Sequence, residues 1–208
     1  MQPIKEIKGT ALPLDRSDVD TDQIIPSEWL KKVERTGFGE GLFEEWREDP
    51  NFVLNNPAYK NSRIIVAGPN FGTGSSREHA VWALTDYGFE AVISPRFGDI
   101  FRNNSTKSGL VPVVLSQADV DAIMAEVKKN AATEIIIDVV GRKVKVPAIG
   151  LETSFPMDDF THFRLLEGLD DIGLTLRYAE DIKNYEFSRA AWLPTVSNWT
   201  AVEPKFRN

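Results

Sequence analysis

Ser75, Ser76 and Arg77 follow two closely spaced glycines in the stretch Asn70-Phe71-Gly72-Thr73-Gly74-Ser75-Ser76-Arg77-Glu78-His79. Those residue types, in that order, suit a small anion. Gly72 and Gly74 let the backbone approach a ligand, and the hydroxyls can donate to it. The Arg77 guanidinium is a planar fork matched to a carboxylate or phosphate. The stretch follows an apolar run, Ile64-Ile65-Val66-Ala67, and precedes Ala80, Ala83, Leu84 and Tyr87 at helical spacing, with Gly88 in the place of a helix C′ residue. It is therefore a strand-to-helix link, and the helix start offers unpaired N–H groups and the positive end of a dipole. Ser75-x-x-Glu78 also fits a capping box, so a catalytic and a capping role for Ser75 are both open on the pattern.

Other chemistries fit less well. A dinucleotide fingerprint needs a third glycine where Arg77 stands, and the Gly-Lys-Ser/Thr of a phosphate-binding loop is absent. No G-x-S-x-G elbow exists, and His79 lies too close in the same helix to serve as the base of a serine triad. Asp18, Asp20 and Asp22 imitate the start of a calcium loop, but Gln23 replaces its glycine and Trp29 its closing glutamate. That segment reads as a turn before an Ile24-Ile25 strand. The chain has no cysteine and only two histidines, His79 and His162. Disulfides, thiol nucleophiles, cysteine zinc sites and an iron–sulfur cluster on its own thiolates are thereby excluded. With 24 basic against 31 acidic side chains the net charge is −7, which argues against nucleic acid as a partner. No apolar run approaches the roughly 20 residues of a membrane span, and no secretory leader is visible at the start, so the expected location is cytoplasmic.

The elements that must hold this loop alternate along the chain. Ala91-Val92-Ile93 and Val113-Val114-Leu115 are short apolar runs that read as further buried strands. Val120, Ile123, Met124 and Val127 repeat at helical spacing behind Ser116, an N-cap with Asp119 three residues on. Strand–helix alternation implies an α/β fold with a mostly parallel central sheet and flanking helices. Residues 134–146 read as an added antiparallel hairpin turning at Gly141-Arg142. Asp158 to Glu167, closed by Gly168, and Leu176 to Trp192 read as two further helices. The expected organisation is one domain over residues 1–193, with 194–208 a loose or partner-docking tail.

The stretch Phe71 to Ala80 resembles the signature of the swivel domain of the aconitase superfamily. Further motifs are Asp20-Thr21-Asp22-Gln23-Ile24-Ile25-Pro26, Arg35-Thr36-Gly37-Phe38-Gly39, Trp82 to Phe89 and Gly168 to Leu176. In this order they resemble the small-subunit family of bacterial 3-isopropylmalate dehydratases, from about Ile7 to Tyr185. The resemblance implies a swivelling β/β/α domain that closes over a large subunit, the holder of a [4Fe–4S] cluster, with no cofactor bound by this chain. The implied reaction interconverts 2- and 3-isopropylmalate in leucine biosynthesis by removing and re-adding water. By motif position Ser75 matches the catalytic serine whose alkoxide is the base, and Ser76 and Arg77 match positions that hold a substrate carboxylate. Arg35 and Thr36 lie in the segment that resembles the specificity loop, where Arg35 either contacts substrate or is an exposed side chain near Glu34 and Glu40. Gly72, Gly74 and Glu78 are supporting residues, and His79 is assigned to packing or to contact between subunits. Thr73 stands where many similar sequences have cysteine. Two alternatives share the sequence: a related hydro-lyase acting on homoaconitate or a methyl-substituted malate, and a non-catalytic phosphate-binding α/β module.

Overall fold

Two short strands at the start of the chain, β1 (Glu6–Gly9) and β2 (Ala11–Leu14), are separated by Thr10 alone and yet enter different sheets. The burial pattern explains the split. All four residues of β2 are buried, as they are in β3 (Ile64–Ala67) and β4 (Ala91–Ser94). Such continuous apolar runs suit a parallel sheet covered on both faces. With β5 (Val111–Val114) they form a parallel sheet in the order β2-β3-β4-β5. Its register pairs Leu12 with Ile65, Ile65 with Val92 and Val92 with Pro112. Pro13 and Pro112 both fall on edge strands, where a missing N–H costs no ladder bond.

The computed structural model describes residues 1–34, 36–74, 77–190 and 192–193. Between β2 and β3 the chain makes two short helices, α1 (Thr21–Ile24) and α2 (Glu44–Arg47), and several single turns. The strand expected at Ile24-Ile25 is instead the end of α1. Asp20 accepts from the Gln23 N–H at 2.8 Å, and the Gln23 side chain accepts from the Asp20 N–H at 3.0 Å. This reciprocal pair satisfies two helix-start donors and winds the segment into a helical turn.

Helix α3 (Glu78–Tyr87) joins β3 to β4, and α4 (Asp99–Ser108) joins β4 to β5. Ala80, Val81, Ala83 and Leu84 of α3 are buried, and Gly88 ends it at φ 114°. Helix α5 (Gln117–Lys129) buries Val120, Ile123, Met124 and Val127 and packs across β2, β3 and β4. Its Ser116 cap accepts from the Asp119 N–H at 3.1 Å.

The hairpin is not an addition to the central sheet. β6 (Ile135–Asp138), β7 (Lys143–Val146) and β8 (Leu151–Ser154) build a separate antiparallel sheet with β1, in the order β1-β6-β7-β8. Ile135 and Ile137, Val144 and Val146 alternate with more exposed residues, so only one face of these strands is buried. The turn is four residues, 139–142, because Asp138 pairs with Lys143, and Arg142 takes φ 53° within it. Helix α6 (Asp159–Glu167) follows, with Asp158 capping its start and Gly168 ending it at φ 68°.

The chain divides into two compact units, Met1–Asp170 and Asp171–Asn208, whereas the sequence suggested one domain through residue 193. In the second unit the helix expected over 176–192 is the shorter α8 (Ala179–Ser188), and a further short helix, α7 (Asp171–Leu176), precedes it. None of its described residues is buried, and Phe187 is 95% exposed. The 194–208 tail lies outside the described residues. Among the described residues no helix is long and apolar enough to cross a membrane.

Candidate active site

The loop between β3 and α3 leaves the sheet at the carboxyl ends of its strands, where open α/β sheets bind ligands. Two neighbouring segments pin it. From the turn after β2, the Val19 carbonyl accepts from the Gly72 N–H at 2.7 Å and the Thr73 N–H at 3.1 Å, and the Thr21 N–H donates to the Thr73 carbonyl at 2.9 Å. From the turn after β4, the Arg96 carbonyl accepts from the Phe71 N–H at 3.0 Å, and the Gly98 N–H donates to the Phe71 carbonyl at 2.9 Å.

The glycines are required for different reasons. Gly72 has φ 75°, and a Cβ there would lie 2.2 Å from Phe101 Cγ, so both conformation and space exclude a side chain. Gly74 has φ 91°, but a Cβ would meet its nearest neighbour, Asp20, at an ordinary 3.4 Å. Conformation alone selects glycine there.

Ser75 and Ser76 lie outside the described residues, as does Arg35. Arg77 is described: it is the N-cap of α3, in extended conformation, with no side-chain cap bond. Its Nη1 donates to Asp22 Oδ1, an ion pair to the second residue of α1. The Arg77 side chain is 22% exposed, so the guanidinium is anchored on one side and still reachable. The capping box suggested at Ser75-x-x-Glu78 is corrected by this arrangement. Glu78 is the first helical residue rather than the third, and it is exposed. The capping box of this region is Asp20 with Gln23.

His79 packs in an aromatic cluster. Its ring meets Phe38 edge-on at 5.3 Å and Trp82 at 4.7 Å. Burial disfavours the imidazolium and lowers the His79 pKa below its ordinary value near 6.5, partly offset by Glu78 and reinforced by Arg77. Phe38 is buried and belongs to the turn after Gly37, and its N–H donates to Asp86 of α3 at 2.9 Å. Gly39 lets that turn lie against α3, since a Cβ would sit 2.9 Å from the Tyr87 nitrogen. Thr36 is exposed at the outer end of this turn, and no described contact joins it to Arg77.

Beside the loop is an open cavity of about 480 Å³, lined by Leu30, Arg77, Glu78, His79, Ile100 and Asn104. Of these, the sequence motifs pointed only to Arg77, Glu78 and His79. Asp22 lay within a recognised motif, but its partner could not be read from spacing. Ile100 and Asn104 belong to α4, whose polar sequence has no apolar period to announce a helix.

Among the described residues no group of three or more His, Cys, Asp or Glu side chains could hold a metal ion, and the sequence contains no cysteine. Thiolate ligation of an iron–sulfur cluster does not fit this chain.

Residues 1–118 match the family model of the aconitase C-terminal domain, and residues 171–197 match that of the C-terminal domain of the 3-isopropylmalate dehydratase small subunit. The 3-isopropylmalate dehydratase small subunit of Parafrankia sp. (strain EAN1pec) is 62% identical over 91% of this chain and 96% of its own length. The small subunit of Acidothermus cellulolyticus is 57% identical, over 94% of this chain and 98% of its own length. The crystal structure of 3-isopropylmalate dehydratase from Methanocaldococcus jannaschii aligns with TM-score 0.64 at 27% identity, covering 86% of this chain and 99% of that one. The chain belongs to the family of 3-isopropylmalate dehydratase small subunits, built on the aconitase C-terminal domain.

Proposed function

We propose that this chain is the small subunit of a hydro-lyase that interconverts 2- and 3-isopropylmalate by dehydration to isopropylmaleate and rehydration. The observation that carries the reading is the Arg77 guanidinium, fixed by Asp22 and open to the cavity beside it at the carboxyl ends of the parallel strands. A dicarboxylate needs such a fork, and a charge-assisted pair to it contributes roughly 1.5–3 kcal/mol.

In this reading the chain's own residues do two things. Arg77, with Ser76, holds a substrate carboxylate and so places the adjacent C–H bond. Ser75 takes that proton, the C–H electron pair becomes the new C=C bond, and hydroxide leaves the neighbouring carbon. A serine hydroxyl is a very weak acid, so its alkoxide needs stabilisation from nearby N–H groups and the start of α3. Lewis-acid help for the departing hydroxide is assigned to an iron–sulfur large subunit, because this chain's donor set does not fit a cluster. Rehydration at the other carbon gives the isomer.

The test is to mix the purified chain with a cluster-loaded large subunit and to follow isopropylmaleate by its ultraviolet absorbance. Turnover is expected only from the mixture. Nucleotide binding by the isolated chain, with no turnover in the mixture, would support the phosphate-binding alternative instead.

A further inference from the structure

The cavity beside Arg77 has a second wall, supplied by α4, an element without a recognised motif. The start of α4 is locked to the loop that carries Arg77. Backbone bonds of 3.0 and 2.9 Å join Phe71 to Arg96 and Gly98. The Phe101 ring meets Phe71 edge-on at 5.3 Å, and Phe101 is only 2% exposed. With Phe101 fixed inward, Ile100 is turned outward, because successive helical residues differ by about 100° around the axis. Asn104, four residues on, lies over the same face. Ile100 is 49% exposed, an unusual state for an isoleucine in the Met1–Asp170 unit, and it lines the same cavity as Arg77. Asn104 is half-buried there, and its amide makes no hydrogen bond among the described residues.

A malate carrying an alkyl branch needs cationic and apolar groups a few bonds apart. The loop provides the first and α4 the second. We propose that Ile100 is a specificity-determining residue: its side chain receives the alkyl branch of the substrate held by Arg77, and Asn104 lies toward the substrate's oxygens. The inference rests on the reading of Arg77 as a carboxylate-binding residue of a substituted-malate hydro-lyase. Because Ile100 sits on a helix pinned to the loop, its distance from Arg77 is set by the fold.

The experiment uses the two-subunit enzyme and compares kcat/KM for 3-isopropylmalate with that for a methyl-substituted malate. One methylene in an apolar pocket changes kcat/KM by about 10- to 200-fold. Ile100→Ala should therefore lower the preference for the isopropyl substrate by about tenfold or more, almost wholly through loss on that substrate. Ile100→Val should lower it less. An unchanged preference, with both substrates losing equally, overturns the proposal and makes Ile100 a packing or assembly residue. Should Ile100→Ala fail to co-purify with the large subunit, the Ile100→Val ratio decides by the same criterion. A wild-type enzyme that turns over neither substrate overturns the reading of the site itself, and the inference falls with it.

Discussion

Arg77 is held by the Asp22 carboxylate, and in the proposed reading its free edge takes a second one, from the substrate. Asp22 takes one edge of the guanidinium, and the side chain keeps 22% of its surface exposed toward the cavity. Lysine carries the same charge but cannot engage two carboxylates as a planar fork. Arg77→Lys is therefore expected to raise KM about 10- to 100-fold while changing kcat far less, as steady-state kinetics of the two-subunit enzyme would record. His79 makes a different contribution. Its pKa is lowered chiefly by burial, beside Phe38 and Trp82, which favours the neutral ring in the folded state. As pH falls below about 6.5, unfolded chains take up the proton first, and stability is lost progressively down through the lower folded pKa. Urea unfolding at about pH 7.5 and about pH 5.5 should show this loss, and His79→Phe should remove part of it. An equal loss in the variant would contradict a packing role. The motif residues were legible because their types are unusual together. The Asp22–Arg77 pair was not, because it joins residues 55 apart in sequence.

Elements were readable where periodicity and caps agreed. β3, β4 and α5 stood out as apolar runs or as regular spacing behind a capping serine, and α6 ends where Asp158 and Gly168 place it. Three features were hidden for physical reasons. β2 contains Pro13, which argues against a strand unless it lies at an edge, and it does. α4 reads Asp-Ile-Phe-Arg-Asn-Asn-Ser-Thr-Lys-Ser, with Phe101 the main apolar anchor, and its buried Ser105 hydroxyl donates to the Phe101 carbonyl at 2.8 Å. α1 looked like a strand because Ile24 and Ile25 are adjacent and β-branched, but the Asp20–Gln23 box prevails locally. The loop itself depends on α4 through Gly72. Gly72→Ala should cost roughly 3 kcal/mol or more, from left-handed strain plus displacement of Phe101. Gly74→Ala, which has only the strain, should cost about 1 kcal/mol. Urea midpoints of the two variants would separate these cases, and equal losses would contradict the close approach at Gly72.

A chain without cysteine brings no thiolate ligand for a cluster, and its relatives are small subunits. The parallel sheet presents the glycine loop at the carboxyl ends of its strands, a separate antiparallel sheet takes β1, and the second unit exposes its apolar residues. This composition suits a subunit that supplies oxygen and guanidinium chemistry to a site completed elsewhere. The division at Asp170 was not legible, since Gly168 to Leu176 reads as one continuous motif. The role of Ser75 is the claim on which the rest depends. The most direct measurement is initial-rate dehydration of 3-isopropylmalate by the two-subunit enzyme carrying Ser75→Ala, followed through isopropylmaleate absorbance with KM determined in parallel. A fall in kcat of at least about 10³-fold with little change in KM is expected for loss of the base. Turnover at the wild-type rate would contradict it.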